Sequence, residues 1–255
     1  MIAPNLILGS TDFGVVKQIR TGSTTSGYTG VFALGPQAGL DGQMKSDTFS
    51  TWMTGATDAG IVPRNVVTID LDEPSLTLGY VNLDNAVGEL VYLPCLEAES
   101  WQVKIGMPQI GFDGSMIVDT GAPLFILTPT AMQMLMKYIP GSKLVEGTRI
   151  LLVPADHLPK DLTFMARLSS LLALRWADAF SGQFGNLEFV LPGKEQLLGA
   201  ATRRDWHGFV FSIFQQIADM PAGVDAIMGS KILQHLIVVL DDDNQQIGFA
   251  ARKRT

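Results

Sequence analysis

The chain has 255 residues, enough to bury a large core as one β-rich domain or as two lobes. It is 47% apolar and only 17% charged, which excludes an intrinsically disordered chain. A formal net charge of -7 argues against nucleic acid as a partner, and a single cysteine, Cys95, excludes an internal disulfide or a Cys-rich zinc site.

The 26 glycines and 13 prolines are spread along the length, as expected of short strands joined by turns. His157, His207 and His235 lack the spacing of a helical metal pair, and no P-loop or dinucleotide-type glycine pattern occurs, so no metal and no cofactor is expected. Met1-Ile2-Ala3-Pro4 is not a basic start followed by an apolar run, so no signal peptide is read. The apolar run from Phe164 to Phe180 is interrupted by Arg167, Arg175 and Asp178, which makes it a poor membrane span.

In chain order, Asn5–Gly9 and Val15–Ile19 read as short strands, followed by a polar loop at Thr21–Gly27. Gly30-Val-Phe-Ala-Leu-Gly-Pro36 reads as a buried strand. Ser46 or Asp47 is placed to cap a helix running through Phe49–Met53 and ending near Gly60. Val66–Leu71, Ser75–Gly79, Glu89–Leu93 and Trp101–Ile105 follow as strands.

Met116–Val118 is an apolar strand that runs into Asp119-Thr120-Gly121, a tripeptide that occurs once. Beyond it, Thr128 is an N-cap and Pro129 the first residue of a helix over Ala131–Tyr138, closed by Pro140-Gly141. Asp161–Phe180 carries apolar residues at Leu162, Met165, Leu168, Leu171, Leu172 and Trp176, a helical spacing. Leu187–Leu191 is a strand. Leu236–Leu240, the polar turn Asp241–Asn244 and Gln246–Ala250 form a hairpin.

The order of these features resembles the pepsin-like aspartic endopeptidases. Asn5-Leu-Ile-Leu-Gly9 is similar to the strand after that family's active-site flap. Gly30-Val-Phe-Ala-Leu-Gly35 is similar to its Asp-Gly-Ile-Leu-Gly-Leu strand, with Thr29 in place of the aspartate. Ser75–Gly79, Gly88–Pro94 and Trp101-Gln-Val look like the crossing into the second lobe. Ala226-Ile-Met-Gly229 resembles the strand beneath the second catalytic turn, and Asp243–Ala250 the closing hairpin. The lack of disulfides and the stretch Ile217–Phe249 look most like the fungal polyporopepsin group.

The resemblance implies an all-β fold, with a partial first lobe over residues 1–87 and a complete second lobe over 88–255. It implies peptide-bond hydrolysis of peptide or protein substrates, with no nucleic acid or membrane involved, in a secreted or vacuolar setting. Asp119 would be the second-lobe catalytic carboxylate. Thr120 would carry the hydrogen-bond network beneath the site, Gly121 would let the backbone approach substrate, and Ala122 and Ile227 would lie beside a bound peptide. In that chemistry two adjacent carboxylates share one proton, and the ionised member activates a water while the other acts as the acid.

Two departures bear on activity. The family's first Asp-Thr-Gly and flap tyrosine belong before Asn5, and the sequence does not contain them. Asp41, Asp47 and Asp72 lack the strand–turn setting. Ala122-Pro123 also replaces the hydroxyl residue that usually bonds the carboxylate. The chain is therefore expected to be an N-terminally truncated enzyme, inactive alone, whose partner is a missing first-lobe segment. The alternative is a non-catalytic relative that binds peptides or a protein. A symmetric pair of chains, each giving one Asp119, fits less well, because the strands before Gly88 would clash with that symmetry.

Outside this motif, His207 reads as a packed or surface histidine and Asp241-Asp242-Asp243 as a solvated turn, not a calcium loop. Arg252-Lys-Arg254 reads as a solvated tail, and Cys95 as an inert thiol.

Overall fold

The computed structural model describes residues 31–44, 49–166, 187–201 and 204–253. Two short helices come first, α1 (Gln37–Met44) and α2 (Trp52–Asp58). Strands β1 (Val66–Asp70), β2 (Ser75–Leu78), β3 (Ala86–Pro94), β4 (Gln102–Met107), β5 (Phe112–Val118) and β6 (Phe125–Leu127) follow. Helix α3 (Pro129–Tyr138) leads to β7 (Lys143–Leu144), β8 (Ile150–Pro154), β9 (Leu162–Ala166), β10 (Leu187–Leu191), β11 (Leu197–Ala200) and β12 (Phe209–Gln216). The chain closes with β13 (Ala226–Met228), α4 (Ser230–Leu233), β14 (Leu236–Asp241) and β15 (Gln246–Arg252).

Two sheets organise these strands among the described residues. One is five-stranded in the order β2-β1-β14-β15-β3, and the other runs β10-β9-β4-β5-β13-β6-β12-β8-β7, with β11 on β12. The first joins sequence-distant segments: Val66–Asp70 pairs antiparallel with Ile237–Asp241. Both β1 and β14 are buried at every position, so the polar side chains they carry, Thr68, Asp70 and Asp241, are buried with them. The division at 87/88 falls inside β3, in a sheet that draws strands from both sides of it.

Several elements form for local reasons that the sequence states. Thr128 has an extended backbone, its hydroxyl accepts the Ala131 N–H at 3.4 Å, and Pro129 spends no donor in the first turn of α3. That helix buries Ala131, Met132 and Leu135. The β14–β15 hairpin pairs Leu236 with Ala251 through Asp241 with Gln246, around the turn that was expected.

Other expectations are corrected. Residues 31–36 form no strand, and Val31 is 85% exposed, although Leu34 offers its carbonyl to the Trp101 indole N–H at 2.5 Å. Among the described residues no strand lies alongside this segment, and an extended segment without ladder partners is not a strand. The helix over the Trp52 region is capped by Thr51, whose hydroxyl accepts the Thr54 N–H at 3.2 Å; Ser46 and Asp47 lie outside the described residues. The segments Asn5–Gly9, Val15–Ile19 and Thr21–Gly27 also lie outside them.

The helix expected over Asp161–Phe180 is a strand where it is described. Leu162, Phe164 and Ala166 face inward and pair with Leu191, Phe189 and Leu187. The remainder of that segment, from 167 onward, lies outside the described residues. No helix among the described residues is long and apolar enough to cross a membrane.

One continuous core runs from Met53 and Ala56 of α2 to Phe249 of β15. At its centre Phe125 meets Phe164 and Phe214 edge-on, each with ring centroids 5.7 Å apart. All three rings are at most 1% exposed. Phe125→Ala is expected to cost about 3–5 kcal/mol through lost burial and a residual cavity. Urea unfolding should show this as a lower midpoint with an unchanged slope.

Candidate active site

The inward residues of β5 are Phe112, Gly114, Met116 and Val118, so the strand is anchored up to the residue before Asp119. Asp119 then leaves the ladder in a tight turn. Its side-chain Oδ1 accepts the Gly121 N–H at 2.8 Å, and its carbonyl accepts the Ala122 N–H at 3.2 Å. This is an aspartate folding the backbone over its own carboxylate. A Cβ at Gly121 would sit 3.1 Å from that oxygen, so only glycine fits without displacement.

The turn rests on β13. This three-residue strand lies between β5 and β6, parallel to the first and antiparallel to the second. Its Met228 carbonyl accepts the Asp119 N–H at 3.1 Å. The chain then passes directly beneath the turn at Gly229, and the Ser230 N–H reaches the Ala122 carbonyl at 2.7 Å. At Gly229 any Cβ would overlap the carbonyl oxygens of Leu124 and Ala122.

The other end of β13 is fastened by Asp225. Its carboxylate accepts the Ser115 N–H at 3.0 Å, and its backbone N–H donates to the Ser115 carbonyl at 2.9 Å. Buried Gln102 adds bonds to the Ser115 hydroxyl and, at 3.1 Å, to the Gly223 carbonyl. The sequence reading missed Asp225, Gln102 and Ser230. The one available signal was an acid directly before a short apolar strand.

The remaining expected residues take these places. Thr120 is exposed and its hydroxyl makes no hydrogen bond among the described residues. It borders an apolar cleft of about 980 Å³ lined by Phe32, Leu34, Leu71, Leu76 and Tyr80 among others. Ala122 is buried beneath the turn, at 7% exposure. Ile227 is half-buried and pairs with Ile117 and Ile126. Asp119 itself is half-buried, and its carboxylate takes one hydrogen bond among the described residues, from Gly121. Such a group can orient a water, but amide cleavage through it also requires an acid to protonate the departing nitrogen.

Groups outside the turn sort by burial. His207 is exposed. The Cys95 thiol is pushed up to about 12, chiefly by burial and then by nearby Asp242, so it is not a nucleophile at neutral pH. Asp241 is not solvated as expected: it is buried, ion-paired to Arg64 at 3.3 Å, and accepts bonds from Asn244 and Gln246.

Gly229→Ala should force the threaded segment and the Asp119 turn apart, at a cost of about 1–3 kcal/mol in overpacking strain. The check is a lower unfolding midpoint together with faster exchange of the Asp119 and Ser230 amides, while a surface control such as Lys231→Ala changes neither.

The model of the eukaryotic aspartyl proteases matches residues 5–252. Among solved structures 387 chains match. One of them, the aspartic proteinase from Irpex lacteus, has a TM-score of 0.67 at 22% identity, covering 89% of this chain and 70% of that one. At that identity the likeness speaks for the fold. A search of curated proteins gives no match. With two sheets, a carboxylate turn at the end of β5 and a strand threaded beneath it, the chain has the pepsin-like all-β fold and belongs to the eukaryotic aspartyl protease family.

Proposed function

We propose that this chain provides the second-lobe half of an aspartic endopeptidase site, with Asp119 as the catalytic carboxylate of that half. The observation that carries the reading is the Asp119-Thr120-Gly121 turn itself, closed by the 2.8 Å bond from Gly121 to Asp119 and seated on β13. The family's substrates are peptides, and its members are typically secreted or vacuolar, which is the setting proposed here. Residues 88–255 form the catalytic lobe in this reading, residues 1–87 belong to the first lobe, and Gly121, Ala122 and Ile227 support the turn and the bound peptide. Thr120, exposed and without a hydroxyl hydrogen bond among the described residues, borders the cleft.

Hydrolysis by the familial route needs a second carboxylate in a comparable turn, and the sequence holds no second Asp-Thr-Gly. A first-lobe segment that brings one completes the site: the two groups then share a proton, Asp119 or its partner activates water, and the other protonates the leaving amine. Alone, the chain lacks the acid. Ala122 and Pro123 also supply no hydroxyl beside the carboxylate, so its orientation is not assisted from that side.

The same two features favour a second reading, a pepsin-like protein that binds peptides without cutting them. Upstream coding sequence separates the two. A signal peptide followed by another Asp-Thr-Gly or Asp-Ser-Gly strand supports the enzyme, whereas its absence supports the binder.

For the purified 255-residue protein, no pepstatin-sensitive cleavage of a fluorogenic peptide is expected at about pH 4, where a shared-proton dyad is active. Turnover that pepstatin inhibits and Asp119→Ala abolishes would overturn the inactivity of the isolated chain.

A further inference from the structure

The turn at 71–74, between β1 and β2, forms one wall of the apolar cleft that Thr120 borders: Asp70, Leu71, Pro74, Ser75 and Leu76 all line it. Yet the turn has little apolar anchorage. Asp72, Glu73, Pro74, Ser75 and Leu76 are exposed, and only Leu71 packs in part against the core. What fixes it is polar, and it comes from the far end of the chain.

Arg252, expected as part of a solvated tail, is buried to 4% side-chain exposure at the end of β15. Its Nε meets Asp70 Oδ1 at 2.9 Å, Nη1 meets Asp72 Oδ2 at 2.7 Å, and Nη2 lies 3.6 Å from Glu73 Oε1. Asp70 Oδ1 in turn accepts the N–H groups of Asp72 and Glu73 at 3.1 and 3.2 Å. Asn85, just before β3, bridges Asp70 Oδ2 and Glu73 Oε2 at 2.8 and 3.0 Å. A planar guanidinium spreads five N–H donors over three nitrogens in a rigid fork, whereas the three donors of an ammonium rotate about a single nitrogen.

We propose that Arg252 is a positioning residue, an electrostatic latch by which the last strand holds the 71–74 turn in place as a wall of the apolar cleft. The proposal stands independently of whether the chain cleaves peptides.

The charges around the latch set its pH behaviour. From β1 and the turn come Asp70, Asp72 and Glu73. Asp84 precedes β3, with Lys253 Nζ on its carbonyl at 2.6 Å, and His235 precedes β14 and accepts the Arg252 N–H through its own carbonyl at 3.1 Å. Burial works to raise Asp70, but the bonds from Asn85 and Arg252 and the Glu73 N–H outweigh it and hold the carboxyl below its ordinary value of 3.8. A depressed carboxyl contributes stability that is present above the unfolded value and is lost as pH falls through the lower, folded one. The contact of Asp70 with the guanidinium is therefore kept in mild acid and is lost as pH falls below 3.8.

Without the guanidinium the sign reverses. Three carboxylates then crowd one another, so the turn is loosest at neutral pH and tightens as protons neutralise them. Hydrogen exchange of the 70–79 segment, corrected for intrinsic rates, reads this directly, with 112–118 of β5 as the internal control. In Arg252→Met the turn amides should exchange roughly tenfold faster at pH 7, with partial recovery at about pH 4.5. Adding Asp72→Asn and Glu73→Gln to that variant should restore protection at pH 7, which a merely packed side chain would not explain.

Unchanged exchange in Arg252→Met, or no rescue by the neutral pair, overturns the proposal. If that variant does not fold, the wild-type series decides: loss of protection at 70–79 ahead of 112–118 below pH 3.8 supports the latch, and simultaneous loss overturns it.

Discussion

The passage of β13 and Gly229 beneath the Asp119 turn is the constraint on which the rest of the site depends. A three-residue strand is too short to hold itself, so its place is fixed from both sides: parallel to β5, antiparallel to β6, with Asp225 tying its start to Ser115. At its exit the chain passes so close to Ala122 and Leu124 that only hydrogen fits on the Cα of residue 229. Backbone bonds from Asp119 to Met228 and from Ser230 to Ala122 then lock the turn from below. The Asp119 turn is thereby held by main-chain hydrogen bonds to a strand of the sheet, and a site built on strands is placed more precisely than one on a free loop.

This arrangement explains how the Asp119 turn can be well formed by itself. Among the described residues the hydrogen bonds of the Asp119 turn close within residues 119–122 and onto 228–230, without a second acid. What a second carboxylate changes is chemistry, by splitting the titration of the pair and supplying a proton at the right moment. The five-stranded sheet has its own fastening, since its outer hairpin β1–β2 is tied to the C-terminal end of β15 through Arg252.

Much of the fold was legible because local chemistry and tertiary structure agree. Thr128-Pro129 starts α3 and the polar turn between β14 and β15 closes a hairpin, while the place of Ala226-Ile-Met-Gly229 beneath Asp119 followed from the family resemblance. The failures have distinct causes. Leu162 and Met165 fit a helical period, but Leu162, Phe164 and Ala166 equally fit a strand, and the partner at 187–191 decided it. Gly30–Pro36 has strand-like residues, but among the described residues no strand lies alongside them. Arg252 and Asp241 looked like surface charges because a run of like residues near a terminus or turn is usually solvated. Their partners, Asp70 and Arg64, lie more than 170 residues away in sequence, where no local pattern reaches. The Asp119 turn is marked by a motif, whereas Asp225, which only a three-dimensional contact singles out, carries no such mark.

The most direct measurement is native-state hydrogen exchange at single-residue resolution for the backbone N–H groups of Asp119 and Ser230. If the threaded strand holds the carboxylate turn, both amides open only with the core strands β5 and β13, and their opening free energies match those of Val118 and Met228. Opening of Asp119 and Ser230 in a separate, low-energy step while β5 and β13 stay protected would contradict the account, because the turn would then be a mobile loop and not a part of the core.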